Sequence, residues 1–319
     1  GAILKGYSLE PNTTPNLFTE AHIGNNMESE IGDIRDLNQI SKSMLDFNPD
    51  VLIHMAAQPL VRYSYENPIE TYSTNVMGTV NVLESARKCL NLKSIVSVTT
   101  DKCYENKEWD WGYRESEPMG GHDPYSSSKG CAELVTSAYR RSFFSSKHTA
   151  SLASARAGNV IGGGDWANDR LMPDILRAFE KSESVVIRNP LSTRPWQHVL
   201  EPLSGYLLLA QELFLNGDEF AEGWNFGPKD EDCKPVGWIL DKMVENWGGN
   251  ASWSLDKKNN PHEAGFLKLD CSKASSKLKW NPKWNLQYTL NSIVDWHKLY
   301  INKGDIKKQC LKEINIYSK

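Results

Sequence analysis

The chain has 319 residues, enough for a large core or two closely joined domains, and its 36 basic and 40 acidic side chains leave a net charge of −4 with no global attraction for nucleic acid. No apolar run approaches the roughly 18 residues of a membrane span and no charged-then-apolar segment opens the chain, so neither a membrane nor a signal peptide is expected. Cys89, Cys103, Cys131, Cys233, Cys271 and Cys310 are scattered without a C-x-x-C pair, which reads as reduced thiols in a cytoplasmic protein that binds no metal.

In chain order, residues 1–7 read as a strand, and a second strand ends at Ile31-Gly32 before the turn Asp33-Ile34-Arg35-Asp36 and a helix to about Phe47. Asp33 suits a turn or a helix cap. Residues 51–56 are apolar without alternation, the pattern of a strand covered on both faces of a parallel sheet. The small Ala56 and Ala57, followed by Gln58, would let a ligand approach the backbone. Residues 68–90 carry a helical pattern, with Pro68 at the start and Val76, Val80, Leu83, Ala86 and Leu90 as an apolar stripe. Asn75 lies within it, where a buried polar residue satisfied by backbone is one reading.

Residues 93–99 form the next strand, and Thr100-Asp101-Lys102 fall at its carboxyl end, where open α/β sheets place their ligands. Residues 105–121, with Trp109, Trp111 and Tyr113, make a loop long enough to be a lid or binding wall. A helix over 123–147 sets Tyr125 and Lys129 one turn apart on one face. A free tyrosine ionises near pH ~10. An ammonium beside it favours the phenolate, so the pair could take a proton from an alcohol.

Residues 149–156 are another strand, with exit Gly158-Asn159-Val160-Ile161-Gly162. The uninterrupted β-α-β-α-β order implies right-handed crossovers and an α/β fold with a doubly wound parallel sheet. Beyond about residue 162 the pattern is irregular: a helix beginning near Arg170, a strand and turn at 185–190, a loop at 194–197 and a helix at 201–214. A guanidinium fork matches a diphosphate, and Arg194 is the leading candidate, with Arg170 and Arg188 behind it. For the latter two, an exposed arginine without a ligand is an equal reading. Trp196 and His198 read as packing.

Thr100-Asp101-Lys102, Tyr125-x-x-x-Lys129, Arg156-Ala157-Gly158-Asn159-Val160-Ile161-Gly162 and Arg194-Pro195-Trp196-Gln197-His198-Val199 together resemble the extended short-chain dehydrogenase/reductase family, and within it the sugar-nucleotide 4,6-dehydratases. Asp-Lys after the threonine resembles the CDP-glucose branch, since the deoxythymidine- and guanosine-diphosphate branches usually carry Asp-Glu. The resemblance covers essentially the whole chain, including Pro261-His262-Glu263-Ala264, residues 266–274 and the turn at 278–284 before a last helix.

The resemblance implies a Rossmann-like fold that begins one βα unit earlier, so the glycine-rich phosphate turn is expected upstream of this sequence. It implies a dinucleotide-binding domain over 1–162 and a smaller, mainly substrate-binding lobe over 163–319, with segments near 194–214 packing back. NAD is the implied cofactor; Gly6-Tyr7-Ser8 in place of an acidic strand end leaves NADP open. Asp33 and Ile34 would border the adenine, Ala56, Ala57 and Gln58 would line the cofactor, and Asn75 would hold Lys129 through water. Thr100, Asp101, Lys102, Tyr125 and Lys129 would be catalytic, and Asn159, Arg170, Arg188 and Arg194 would meet the substrate, CDP-glucose. A homodimer through helices near 68–90 and 123–147, or a homotetramer, is implied. Lys102 stands where a glutamate base is usual, so it could abstract a proton only if its pKa fell; otherwise it would steady an enolate by charge. An epimerase or decarboxylase of the same family, or a noncatalytic dinucleotide sensor, are the alternatives.

Overall fold

The computed structural model describes residues 1–145, 149–256 and 265–319, so the 261–264 match and the end of the expected 123–147 helix lie outside the described residues. In chain order the first elements are β1 (Lys5–Ser8), α1 (Leu17–Glu20), β2 (Glu28–Ile31), α2 (Leu37–Phe47), β3 (Val51–His54), α3 (Val61–Glu66), α4 (Pro68–Tyr72), α5 (Gly78–Ala86), β4 (Ser94–Val98), α6 (Pro124–Phe143) and β5 (Ser151–Ala157). There follow β6 (Asn159–Ile161), α7 (Leu171–Glu180), β7 (Ser184–Ile187), β8 (Thr193–His198), α8 (Leu200–Asn216), β9 (Gly223–Phe226), β10 (Cys233–Pro235), α9 (Val236–Trp247), β11 (Ser252–Leu255), α10 (Ser272–Lys277), α11 (Leu286–Ile301) and α12 (Ile306–Tyr317).

The central sheet is parallel, in the order β3-β4-β5-β9, with β1 and β2 forming a separate parallel pair. Successive side chains of a strand point to opposite faces, and the two cores follow from that alternation. Ile95 and Leu152 join Ile34, Ile40, Val82 and Leu83 beneath α2 and α5. Val96, Ala153 and Ala155 join Leu209, Leu213, Trp224 and Phe226 beneath α8. Thus α8 and β9, although late in the chain, complete the first layer system. The remaining late elements build a third core from Ile175, Phe179, Val185, Ile239, Met243, Leu290 and Ile293 of α7, β7, α9 and α11. Its strands are the β10-β8-β6 sheet and the parallel pair β11-β7.

Four expectations need correction. The 51–56 strand is not covered on both faces: Val51 is 41% and Met55 51% exposed, because among the described residues β3 has a ladder partner only in β4. The helical pattern over 68–90 is interrupted by a π-helical turn at Ser73–Met77, which shifts the buried face. Gly78, Thr79, Val82, Leu83 and Ala86 are buried, whereas Val76 and Val80 are half-buried and Leu90 is 94% exposed. Residues 194–197 are strand, not loop, held between β6 and β10. The turn at 278–284 leads into α11, which is not the last helix, since α12 follows it.

Candidate active site

The carboxyl ends of β3, β4 and β5 open onto a cavity of about 1310 Å³ whose far wall comes from β6, α7, β7 and β8. Thr100, Asp101, Lys102, Tyr125, Asn159, Arg170, Arg188 and Arg194 all line it. Thr100 caps a single 3-10 turn, Asp101–Cys103, its Oγ1 accepting from Lys102 N, and this turn presents Asp101 and Lys102 just beyond the sheet. Tyr125 follows Pro124 in the first turn of α6, whose N-cap is Asp123. Gly121 has φ 142°, and a Cβ there would meet Ser127 N at 2.3 Å, so glycine lets the preceding loop press against this first turn. Of that loop, Glu105, Asn106, Lys107 and Glu108 face the cavity. Its aromatics do not: Trp109 and Tyr113 stack at 5.3 Å, and Tyr113 stacks on Tyr104 at 5.2 Å.

Tyr125 and Lys129 are both buried on one face of α6, yet they do not form the expected pair. Lys129 Nζ donates to the Val98 carbonyl at 3.1 Å. Burial pulls the ammonium down to about 8, with Glu133 and Cys103 opposing. Burial pushes the Tyr125 phenol up to about 12; a hydrogen bond with Thr100 opposes this, Asp101 adds to it and Arg170 opposes it. The cation over the tyrosine ring is instead Lys102, with Nζ 5.9 Å from the centroid. The reason is reach: a four-carbon stem one turn away can satisfy its ammonium on the strand carbonyl beneath.

Asp101 is 2% exposed. Its Oδ1 accepts from Thr100 Oγ1 at 3.0 Å, and its Oδ2 has no hydrogen-bond partner. Burial raises its pKa, while Lys102, the bond from Thr100 and Arg194 oppose the rise. A buried carboxyl that keeps its proton is a candidate general acid. Of the arginines, Arg194 is buried in β8 and Arg170 pairs with Asp165 at 3.0 Å. A cavity-wall guanidinium can hold phosphate oxygens by charge-assisted bonds, each worth about 1.5–3 kcal/mol. Arg194→Ala should therefore weaken sugar-nucleotide binding at least about tenfold by titration calorimetry; unchanged affinity would move the phosphate contacts to Arg170 or Arg188.

Of the residues expected around the cofactor, Tyr125 lines this cavity, whereas Asp33, Ile34, Ala56, Ala57, Gln58, Asn75 and Lys129 are not part of its lining. Asp33 accepts from Arg35 N and from its guanidinium, and Ile34 is core, 2.4 Å from where a Cβ on Gly78 would sit. Gln58 and Asn75 are saturated by each other and by neighbours: Asn75 Oδ1 accepts from Gln58 N, while its Nδ2 donates to Gln58 O and Ser128 Oγ. Ala56 and Ala57 are half-buried after β3. The Tyr125 phenol in the cavity wall suits a ribose hydroxyl, with the buried Lys129 ammonium one helical turn further along α6. Trp196 is buried with Nε1 donating to Lys234 O, and the buried His198 ring accepts from Leu200 N.

Sequence reasoning passed over Glu133. Its signal was present: it follows Tyr125 and Lys129 at a further four-residue step, and all three share the buried face of α6. Tyr104 and Asn225, joined to it through Arg156, had no local signal.

The family model described as GDP-mannose 4,6 dehydratase matches residues 6–293. The CDP-glucose 4,6-dehydratase of Salmonella typhimurium is 60% identical to this chain, over 99% of this chain and 89% of that protein. Among solved structures, the UDP-glucose 4-epimerase of Thermotoga maritima with UDP-glucose has a TM-score of 0.80 at 19% identity, covering 94% of this chain and 92% of that one. The dTDP-glucose 4,6-dehydratase of Bacillus anthracis in complex with NAD has a TM-score of 0.77 at 20% identity, covering 95% and 90%. At such identities the structural likeness speaks for the fold, while the family match and the Salmonella relative decide the affiliation: the chain belongs to the GDP-mannose 4,6 dehydratase family, among the sugar-nucleotide dehydratases of the extended short-chain dehydrogenase/reductases.

Proposed function

We propose that the protein dehydrates CDP-glucose to CDP-4-keto-6-deoxyglucose with NAD as a cofactor regenerated in every turnover. The observation that carries this reading is Asp101, a buried carboxyl facing the same cavity as Tyr125 and beside Lys102. Epimerisation at C4 needs a phenol and a hydride store, but no acid for a departing hydroxyl. The 60% identity to the Salmonella CDP-glucose enzyme supports the choice of nucleotide.

The chemistry NAD would supply when bound is storage of a hydride, taken from C4 and delivered to C6 once the C6 hydroxyl has left and C5 is reprotonated; Tyr125 and Lys129 would hold its ribose, with Ala56, Ala57 and Gln58 along one side and Asp33 and Ile34 toward the adenine. Tyr125, bonded to Thr100, takes the C4 hydroxyl proton. The ketone so formed acidifies C5, where Lys102 either accepts the proton or steadies the enolate by charge. Asp101 gives its proton to the leaving C6 hydroxyl. Arg194, Arg170, Arg188 and Asn159 orient the diphosphate and sugar. The division of labour follows the chain, with residues 1–162 chiefly serving the cofactor and 163–319 mainly the substrate.

The test is incubation of the purified protein and NAD with CDP-, deoxythymidine-, uridine- and guanosine-diphosphate glucose. A 4-keto product from CDP-glucose, at a kcat/KM at least about tenfold above the others, is expected; equal use of all four would remove the nucleotide assignment, and no 4-keto product would remove the activity. Self-association belongs to the same reading. Ile69, Tyr72 and Met77 near α4 and Leu134 on α6 are exposed apolar residues on the implied faces. Sedimentation of the active preparation should give a dimer or tetramer, and a monomer alone would withdraw that part.

A further inference from the structure

Beneath the cavity floor lies a buried ion pair that no step above uses. Glu133 and Arg156 have side chains 4% and 7% exposed and meet at 2.7 Å. Each end is tied to a different segment. Glu133 Oε1 accepts from Thr99 Oγ1, and Oε2 accepts from Ser154 Oγ at 2.7 Å as well as from Arg156 Nη2. Arg156 Nη1 donates to Tyr104 Oη at 2.8 Å and to the Glu115 carbonyl at 3.0 Å. Tyr104 Oη donates onward to Asn225 Oδ1 at 2.7 Å, and Asn225 Nδ2 donates to the carbonyls of Tyr113 and Asp270.

The segments joined in this way are those that carry the reacting groups. Glu133 sits on α6, two helical steps beyond Tyr125 and one beyond Lys129. Thr99 directly precedes Thr100 at the end of β4, and Tyr104 directly follows the 3-10 turn that bears Asp101 and Lys102. We infer that the Glu133–Arg156 pair is a positioning hub, which fixes the helix bearing Tyr125 and Lys129 against the strand end and turn bearing Thr100, Asp101 and Lys102.

A buried pair is a costly way merely to hold a fold, because apolar residues of similar volume often serve as well or better. Its directional bonds, in contrast, fix angles, and a displacement of about 1 Å at a reacting group can cost about a hundredfold in rate. The pair also has an electrostatic reach. The charged or titratable groups that act on Lys129 are Glu133 on α6 and Cys103 in the turn, and Lys129 in turn acts on His54 at the end of β3. Burial, with Lys129 adding, holds His54 down at about 3, so it is neutral. Burial keeps the Cys103 thiol well above its ordinary range, so it is neutral as well. Glu133 is then the anion that supports the ammonium. For Glu133 itself burial acts to raise the pKa, but Arg156 and the two hydroxyl donors, Thr99 and Ser154, outweigh burial and hold it below the usual range.

The inference rests on the reading of Tyr125 and Asp101 as reacting groups, and the test separates the two. In the holoenzyme, Tyr104→Phe cuts the thread from Arg156 to Asn225 without touching a charge. We expect kcat to fall about tenfold or more with KM within about twofold, and the alkaline limb of the kcat profile to stay in place. Glu133→Gln should lower kcat and move the titration of the Lys129 ammonium, followed by its side-chain nitrogen chemical shift, to lower pH, since loss of the anion lowers the Lys129 pKa. Should Glu133→Gln fail to fold, the paired Glu133→Leu/Arg156→Met variant leaves no bare buried charge and reports instead. A folded paired variant with parental kcat, or Tyr104→Phe with parental kcat, overturns the hub. A control with Tyr125→Phe distinguishes the causes: an active Tyr125→Phe sinks the underlying reading, while an inactive Tyr125→Phe beside fully active hub variants sinks the hub alone.

Discussion

Tyr125→Phe should lower kcat by about two to four orders of magnitude, the usual worth of a positioned proton-transfer group, while leaving affinity for the sugar nucleotide within about twofold. The phenol is one polar group among many in a cavity of about 1310 Å³, so its removal takes little from binding. Its chemistry is another matter. Burial holds it up at about 12 and Asp101 adds to the rise, with Thr100 and Arg170 working the other way. At neutral pH the resting phenol is therefore protonated, and only a minute fraction could act as base without help. The phenol can still relay a proton if its own leaves through Thr100 as it accepts the one from the sugar, or if a cation closes on it. Lys102 is already 5.9 Å from the ring. The rate of sugar oxidation should accordingly rise with pH across the neutral range, as the phenolate fraction does. Single-turnover formation of reduced cofactor, followed by absorbance from pH 6 to 9, checks both statements. Near-parental turnover in Tyr125→Phe would end the assignment.

The reacting residues were legible because they sit in short motifs whose spacing is itself structural. Thr100-Asp101-Lys102 follow an apolar strand directly, and Tyr125 and Lys129 are one helical step apart, so locating the elements brought all but Lys129 to the cavity lining. What the spacing could not give was the direction of the Lys129 stem. Where an ammonium finds its acceptor depends on which carbonyl lies beneath, and Val98 O is 31 residues away in sequence. The hub was illegible for the same reason, its bonds joining residues 23, 52 and 121 positions apart. Residues 194–197 failed differently. Thr-Arg-Pro-Trp-Gln-His has a proline in mid-run and no apolar alternation, both arguments against a strand. Pro195 is tolerated there opposite Cys233, and β6 and β10 impose the extended conformation from either side. In the 51–56 run the apolar pattern was read correctly as strand but wrongly as enclosed, since exposure depends on neighbours that the run does not encode.

Asp101→Asn should oxidise the sugar at C4 and then stall, with reduced cofactor accumulating and no 6-deoxy product formed. The substitution keeps the size of the side chain and its bond from Thr100, so binding and oxidation should persist. What it removes is an acidic proton for a hydroxyl that leaves poorly as hydroxide. The parent carboxyl can carry that proton because burial, at 2% exposure and with Oδ2 unbonded, outweighs the opposing Lys102, Thr100 and Arg194. The sign follows: a raised pKa means the donor form persists to higher pH than in a free carboxyl and is lost as pH rises through that value, so elimination should weaken as pH rises while oxidation strengthens. The two trends cross, giving the parent enzyme a pH at which the rate-limiting step changes from oxidation to elimination. The decisive measurement pairs the absorbance of bound reduced cofactor with exchange of the C5 hydrogen in deuterated solvent. In Asp101→Asn, exchange should continue while product does not appear, because the proton acceptor at C5 is a different group. Product at the parental rate would show that Asp101 is not the acid. Lys102→Met completes the comparison: loss of C5 exchange identifies the lysine as the base, whereas normal exchange confines it to electrostatic support of the enolate and places the base elsewhere in the cavity.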